Sequence, residues 1–187
     1  MLSQDAPSAP STAALLVTAA MTEFNEHGFS GTDTNRIARR AGFAPQTFYR
    51  WFKDKTEVFV ACYRAWEDEE QDAPQALFER GAPSQALVEA GVAHHRRYLM
   101  FRRSLRQLSL DNPAVRAARA TSRLRLVARM RAWAGRPELS IEDLAVRQFQ
   151  FERLADALAE GEFADMGLGE HAARAEFARL IDALRAS

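Results

Sequence analysis

Apolar residues recur at three- and four-residue spacing along most of the chain, the signature of amphipathic helices. Leu15, Leu16, Ala19, Ala20 and Phe24 form the first such face, which opens at Ser11 or Thr12 and closes at Gly28. His27 suits the negative end of that helix. Thr32 is expected to cap a second helix carrying Ile37, Ala38 and Ala41 inward, with Gly42 ending it and Phe43 in the turn. Pro45 fits a first helical position, and a very short helix should end near Phe52. A longer one should begin at about Lys55 or Thr56 and carry Val58, Phe59, Cys62, Tyr63 and Trp66.

The chain then turns acidic through Asp68, Glu69, Glu70 and Asp72, with Pro74 and Pro83 beyond, so a soft boundary is expected near 67–74. Long helical patterns follow at 84–110, 113–134, 140–160 and 170–186. Asn112-Pro113, the stretch from Gly135 to Pro137 and the stretch from Gly161 to Gly169 separate them. No strand pattern or internal repeat is seen. The expected fold is all-α, with a disordered Ser/Pro/Ala-rich tail over 1–11, a small helical head over 12–66 and a helical body over 67–187.

Composition narrows the class. In 187 residues, 47% are hydrophobic, enough for a core without disulfides, and the single cysteine, Cys62, has no internal partner. No apolar run reaches bilayer length, and the start, with Asp5, Pro7 and Pro10, is unlike a signal peptide. A cytoplasmic protein with no membrane partner is expected. The formal net charge is zero, so only its distribution is informative. Arg36, Arg39, Arg40, Arg50, Lys53 and Lys55 outnumber Asp33 and Asp54 in the head. A second basic stretch, nearly all arginine, runs from Arg96 to Arg136 with Asp111 its sole acid, and the segment from Glu138 is net acidic.

The span from Thr32 to Phe52 reads T-D-T-N-R-I-A-R-R-A-G-F-A-P-Q-T-F-Y-R-W-F. Two short helices joined by a glycine turn, apolar inside and basic outside, make a helix-turn-helix at about 33–52, with one helix bracing and the other presenting its start to the major groove. The segment from about Thr12 to Trp66 resembles the DNA-binding domain of the TetR (tetracycline-repressor-like) family. The residues that carry the likeness are A-x-x-x-F-x-x-x-G-F from Ala20 to Phe29, Thr32, I-A-R-R-A-G-F from Ile37 to Phe43, T-F-Y-R-W-F from Thr47 to Phe52, and Lys55.

The resemblance implies roles. Thr47, Tyr49 and Lys55 match phosphate-contacting positions, which orient the protein without reading sequence. Thr32, Asn35 and Arg36 match positions at the flanking backbone or a groove edge. Gln46 suits a bidentate bond to adenine, Arg50 suits guanine or phosphate, and Pro45 suits a thymine methyl. Phe43, Phe48 and Phe52 read as core, and Trp51 as helix packing. Two departures stand out: Ala44 replaces a capping serine or threonine, and Gln46 stands where a glycine is common.

For the body, the resemblance implies an effector pocket and a dimer interface. Candidate pocket residues are Tyr63, Trp66, His94, Tyr98, Phe101, Trp133 and Phe149, with Cys62, Phe78, Leu105, Leu124 and Met130. Leu154, Leu158, Phe177, Leu180, Ile181 and Leu184 are candidates for a dimer interface built from the last two helices. The arginines from Arg96 to Arg131 suggest an anionic effector. His94 and His95 point about 100° apart on a helix, so they do not converge on a metal, and no cysteine spacing suits zinc. No phosphate loop or nucleophile motif is present, so neither catalysis nor a cofactor is expected. The expected function is sequence-specific transcription regulation, as a homodimeric repressor that a small-molecule effector releases from a pseudo-palindromic double-stranded DNA operator. The alternative is a helical ligand-binding or interaction protein that has lost specific DNA binding.

Overall fold

The computed structural model describes residues 10–134 and 138–185, with the backbone alone over 70–75. Most of the tail expected to be disordered, the break at Gly135 to Pro137 and the helix end at Ala186 lie outside those residues. The described residues form ten helices and no strand: α1 (Thr12–His27), α2 (Thr34–Arg40), α3 (Pro45–Phe48), α4 (Lys55–Glu79), α5 (Ser84–Arg97), α6 (Leu99–Asp111), α7 (Pro113–Ala134), α8 (Ile141–Glu160), α9 (Glu162–Asp165) and α10 (His171–Arg185).

Local chemistry sets most helix ends. Ser11 caps α1, its hydroxyl accepting from the Ala14 amide at 3.2 Å, and Gly28 ends that helix at φ 69°, where a side chain is strained. Asp33, not Thr32, caps α2, accepting from the Arg36 amide at 2.8 Å. Thr32 is buried instead, with its hydroxyl donated to the Glu23 carbonyl. Ala44 offers α3 no side-chain cap, and Pro45 occupies its first turn. Asp54 caps α4, and Ser140 with Asp143 forms a reciprocal capping box on α8.

Three features differ from the sequence pattern. The helix expected over 84–110 is broken at Tyr98, whose backbone (φ −114°, ψ 33°) separates α5 from α6. The glycine-bounded stretch before α10 contains the single-turn helix α9. The 25-residue α4 passes without a break through the segment where a soft boundary was expected.

One core joins Leu16, Ala20 and Phe24 of α1, Ile37 of α2, Phe48 of α3 and Phe59 of α4 to Phe101 and Leu105 of α6. A second packs Val88 and Val92 of α5 against Leu158 of α8 and Phe177 and Ile181 of α10. A third holds Val127 and Met130 of α7 with Leu144 and Leu184. α4 thus belongs to the first core and also forms a wall of the body.

Candidate nucleic-acid interface and ligand cavity

The short α3 is held from beneath by Phe48, which is fully buried, and by Phe52. The Phe43 amide donates to the Ala38 carbonyl at 2.9 Å, and Gly42 turns between α2 and α3 at φ 79°. This brace leaves Gln46, Tyr49, Arg50 and Trp51 exposed around α3, with Pro45 and Thr47 half-buried beside them. Asn35 is exposed on α2. The Tyr49 hydroxyl lies 2.9 Å from the Thr34 hydroxyl, which fixes the ring's direction while 58% of the residue stays exposed.

Three expected contact residues make hydrogen bonds within the head. Thr32 is buried against Glu23, so its side chain does not reach the surface. Lys55 donates to the carbonyls of Phe29 and Thr32 at 2.7 and 2.8 Å and lies 4.2 Å from the Phe29 ring centroid. Its first turn of α4 is thereby tied to the loop before α2, and desolvation lowers its pKa against the pull of Asp33. Arg36 donates to Glu23 at 2.9 Å. Trp51, read from sequence as packing, is half exposed. It follows directly on the exposed Tyr49-Arg50 pair.

Glu23, Glu26 and His27 bring ligating atoms within 4.8 Å of one another. Both carboxylates are already held by guanidiniums, Glu23 by Arg36 and Arg40, and Glu26 by Arg40. Burial opposes ionisation of Glu23, but those hydrogen bonds and charges outweigh it and keep its pKa lowered. The cluster ties α1 to α2.

The body contains a partly open cavity of about 170 Å³ between α4, α5, α6, α7, α8 and α10. Tyr63, Trp66, Phe78, Met130 and Trp133 line it. His94, Tyr98, Phe101 and Phe149 do not. The His94 ring lies tilted against Trp66 at 5.0 Å, and Tyr98 donates to Glu69 at 2.6 Å. Burial first, then Glu69, pushes the Tyr98 phenol up to about 12. Phe101 packs on Phe59 in the first core, where Cys62 and Leu105 also lie. Phe149 and Leu124 are exposed. α8 turns Gln148, Phe151, Glu152 and Ala155 inward, so Phe151 takes the place expected of Phe149.

The expected dimer residues are core residues of a single chain. Leu158, Phe177, Leu180, Ile181 and Leu184 are each less than a tenth exposed, and Leu154 packs half-buried beside them. They are covered because α8 and α10 pack against α5 and α7 of the same chain.

Five of the central arginines are paired internally. Arg102 bonds Asp156, Arg119 and Arg123 bond Glu152, Arg106 bonds Asp156 and Glu160, and Arg125 bonds Glu67. His95 Nδ1 stands 2.9 Å from Asp156. At these five positions the charge is already met by counter-ions within the chain, so they carry no argument for an anionic effector.

Residues 16–62 match the family model for bacterial regulatory proteins of the tetR family. The helical head is thus similar to that of tetR-family regulatory proteins. No curated protein matches the sequence. Among solved structures, a transcriptional regulator from Rhodococcus sp. Rha1 superposes with TM-score 0.69 at 17% identity, over 95% of this chain and 100% of that one. The multidrug binding protein EbrR, solved with imidazole, gives 0.68 at 18% identity over 92% and 96%. The fatty acid degradation regulator FadR from Bacillus halodurans gives 0.60 at 16% over 92% and 95%. The fold of these structures thus extends through the body, and the stretch similar to the tetR-family model lies at its start. No helix among the described residues is long and apolar enough to cross a membrane.

Proposed function

We propose that the protein is an operator-specific repressor that a small molecule in the body cavity releases from DNA. One observation carries the reading: α4 is a single helix whose first turn, at Lys55, is tied to the loop before α2 and whose Tyr63, Trp66 and Glu67 line the cavity. A ligand that favours a different tilt of α4 shifts the head with it, and the shift is bounded by its preference between the two states.

On this reading Gln46 and Arg50 read base edges, with Pro45 against a thymine methyl. Thr47, Tyr49 and Asn35 hold phosphates. Thr32, Arg36 and Lys55 brace the head instead of touching DNA. The working unit is a dimer, because one short α3 reads too little, while two set about 34–36 Å apart read a pseudo-palindrome. The exposed apolar residues Val146 and Phe149 on α8 form the dimer contact, in place of the buried positions of α8 and α10.

Fluorescence anisotropy with labelled genomic fragments, over a salt series, tests the reading. A small set of fragments should bind far more tightly than the rest, with Gln46→Ala relaxing preference at one base position by about 1–3 kcal/mol. Equal affinity for all fragments would overturn operator specificity. No loss of binding with any cavity ligand would overturn effector release.

A further inference from the structure

The wall of the cavity contains two cations, Arg102 and Arg123, and two anions, Glu67 and Glu152, besides His95. Each has an ion-pair partner within the protein, and Arg102 and Glu152 are nearly buried. A charged ligand entering such a site loses its hydration and finds every counter-charge already engaged. The wall therefore selects against ions of either sign.

Two polar groups in the same wall are not engaged. The Trp66 indole Nε1 is buried and has no hydrogen-bond partner among the described residues, and Trp66 is 2% exposed. Gln148 is 8% exposed, lines the cavity, and its carboxamide makes no hydrogen bond among the described residues. A buried donor without a partner is a standing penalty that a ligand acceptor removes. A carboxamide offers one face that both donates and accepts, the complement of another amide.

Size and shape narrow the ligand further. The cavity's volume is about 170 Å³, and an apolar cavity of about 150 Å³ admits benzene. Its flat walls include the stacked pair Phe78 and Trp133, at 5.4 Å, and the stacked pair Phe151 and Phe177, at 5.5 Å. We infer that the cavity takes an uncharged single-ring aromatic molecule bearing one amide-like group, held by the Trp66 N–H and the Gln148 carboxamide. This inference rests on the reading of the cavity as the effector site.

Calorimetric titration of the full-length protein with benzamide, benzoate, benzamidinium and toluene tests it. Benzamide should bind at least about tenfold more tightly than each of the other three. Gln148→Leu, close in shape, should bring benzamide and toluene to similar affinity, and Trp66→Phe should weaken benzamide while leaving toluene unchanged. Either ion matching benzamide in the wild-type protein, no binding of any of the four, or a benzamide preference that survives Gln148→Leu would overturn the inference. Adding benzamide to the protein–operator complex separates the two readings. Selective binding that leaves the DNA bound overturns effector release and keeps the cavity chemistry. Release by some other ligand, with the benzamide preference absent, overturns the cavity chemistry alone.

Discussion

The side chain of Asn25, on α1, donates to the Arg97 carbonyl at 2.7 Å, and its oxygen accepts from the Phe101 amide at 3.4 Å. In an unbroken helix that carbonyl and that amide would bond to each other. Asn25 stands between them, at the point where α5 ends and α6 begins. A residue of the DNA-binding head thus holds open a bend in the body. Nearby, the Phe29 amide donates to the Ser104 hydroxyl at 3.0 Å, a second tie between head and α6.

Asn25→Ala should therefore weaken communication more than stability. The freed carbonyl and amide can bond each other, so the loss in urea unfolding should be about 1 kcal/mol. Ligand-induced release of DNA, measured by anisotropy, should fall markedly. A loss above about 3 kcal/mol would show that packing, not Asn25, makes the bend and that the side chain is a major stabiliser.

Lys55 offers a sharper discrimination between bracing and DNA contact. Each phosphate contact adds about 0.9 to the slope of log affinity against log salt. Lys55→Met keeps the apolar stem and removes the donors to Phe29 and Thr32. The expected result is a stability loss of about 1–3 kcal/mol with an unchanged salt slope. A slope reduced by about one, with stability intact, would return Lys55 to the phosphates.

Much of this fold is written locally in the sequence, and what depends on distant partners is not legible there. Gly28, Pro45, Asp54 and Ser140 mark helix ends because each acts on its own backbone within a few residues. The bend at Tyr98 depends on Asn25, 72 positions from the carbonyl it binds, and no local pattern announces it. The six apolar positions expected at a dimer face have the right period, but period says only that a face is covered. Whether the same chain or a second copy covers it is a matter of tertiary packing. The arginine stretch looked like a ligand signal because its partners, among them Glu152 and Asp156, lie on another helix. On the head, the exposed positions of α3 were legible, whereas the inward turn of Lys55 and Thr32 was not.

Trp51 should matter to DNA binding and little to folding. It is half exposed and follows the exposed Tyr49 and Arg50. An exposed residue away from core and caps usually changes stability by no more than about 0.5 kcal/mol. Trp51→Ala should therefore leave the urea midpoint in place and weaken binding to every fragment. Unchanged affinity, or a large loss of stability, would restore the packing role.

The oligomer can be tested at α8. Val146 and Phe149 are 58% and 53% exposed and lie three positions apart on one face. Phe149→Glu should give a monomer in sedimentation velocity, with the folded helical signal retained and operator affinity lost. A dimer that survives both Phe149→Glu and Val146→Asp would move the interface elsewhere.

Acid should loosen the body from within. Burial opposes ionisation of Asp156, but the hydrogen bond from His95 and the charge of Arg102 outweigh it and hold the carboxyl well below its usual range. Burial also opposes ionisation of Glu152, and Arg102, Arg119 and Arg123 outweigh it in turn. A carboxyl whose folded-state pKa is depressed contributes stability that is complete above its unfolded value and is lost as pH falls toward the folded one. Unfolding midpoints in urea should thus be flat from about pH 8 to about pH 5.5 as far as these groups are concerned, and should drop below about pH 4.5. Asp156→Asn leaves Arg102 with a weakened counter-charge in a nearly buried site, so it should destabilise the protein at neutral pH by about 3–5 kcal/mol. The same variant should show a shallower acid decline, because one of the depressed carboxyls is gone. A midpoint that holds steady down to about pH 3, or an acid slope unchanged by Asp156→Asn, would mean that this network does not carry the stability of the cavity wall.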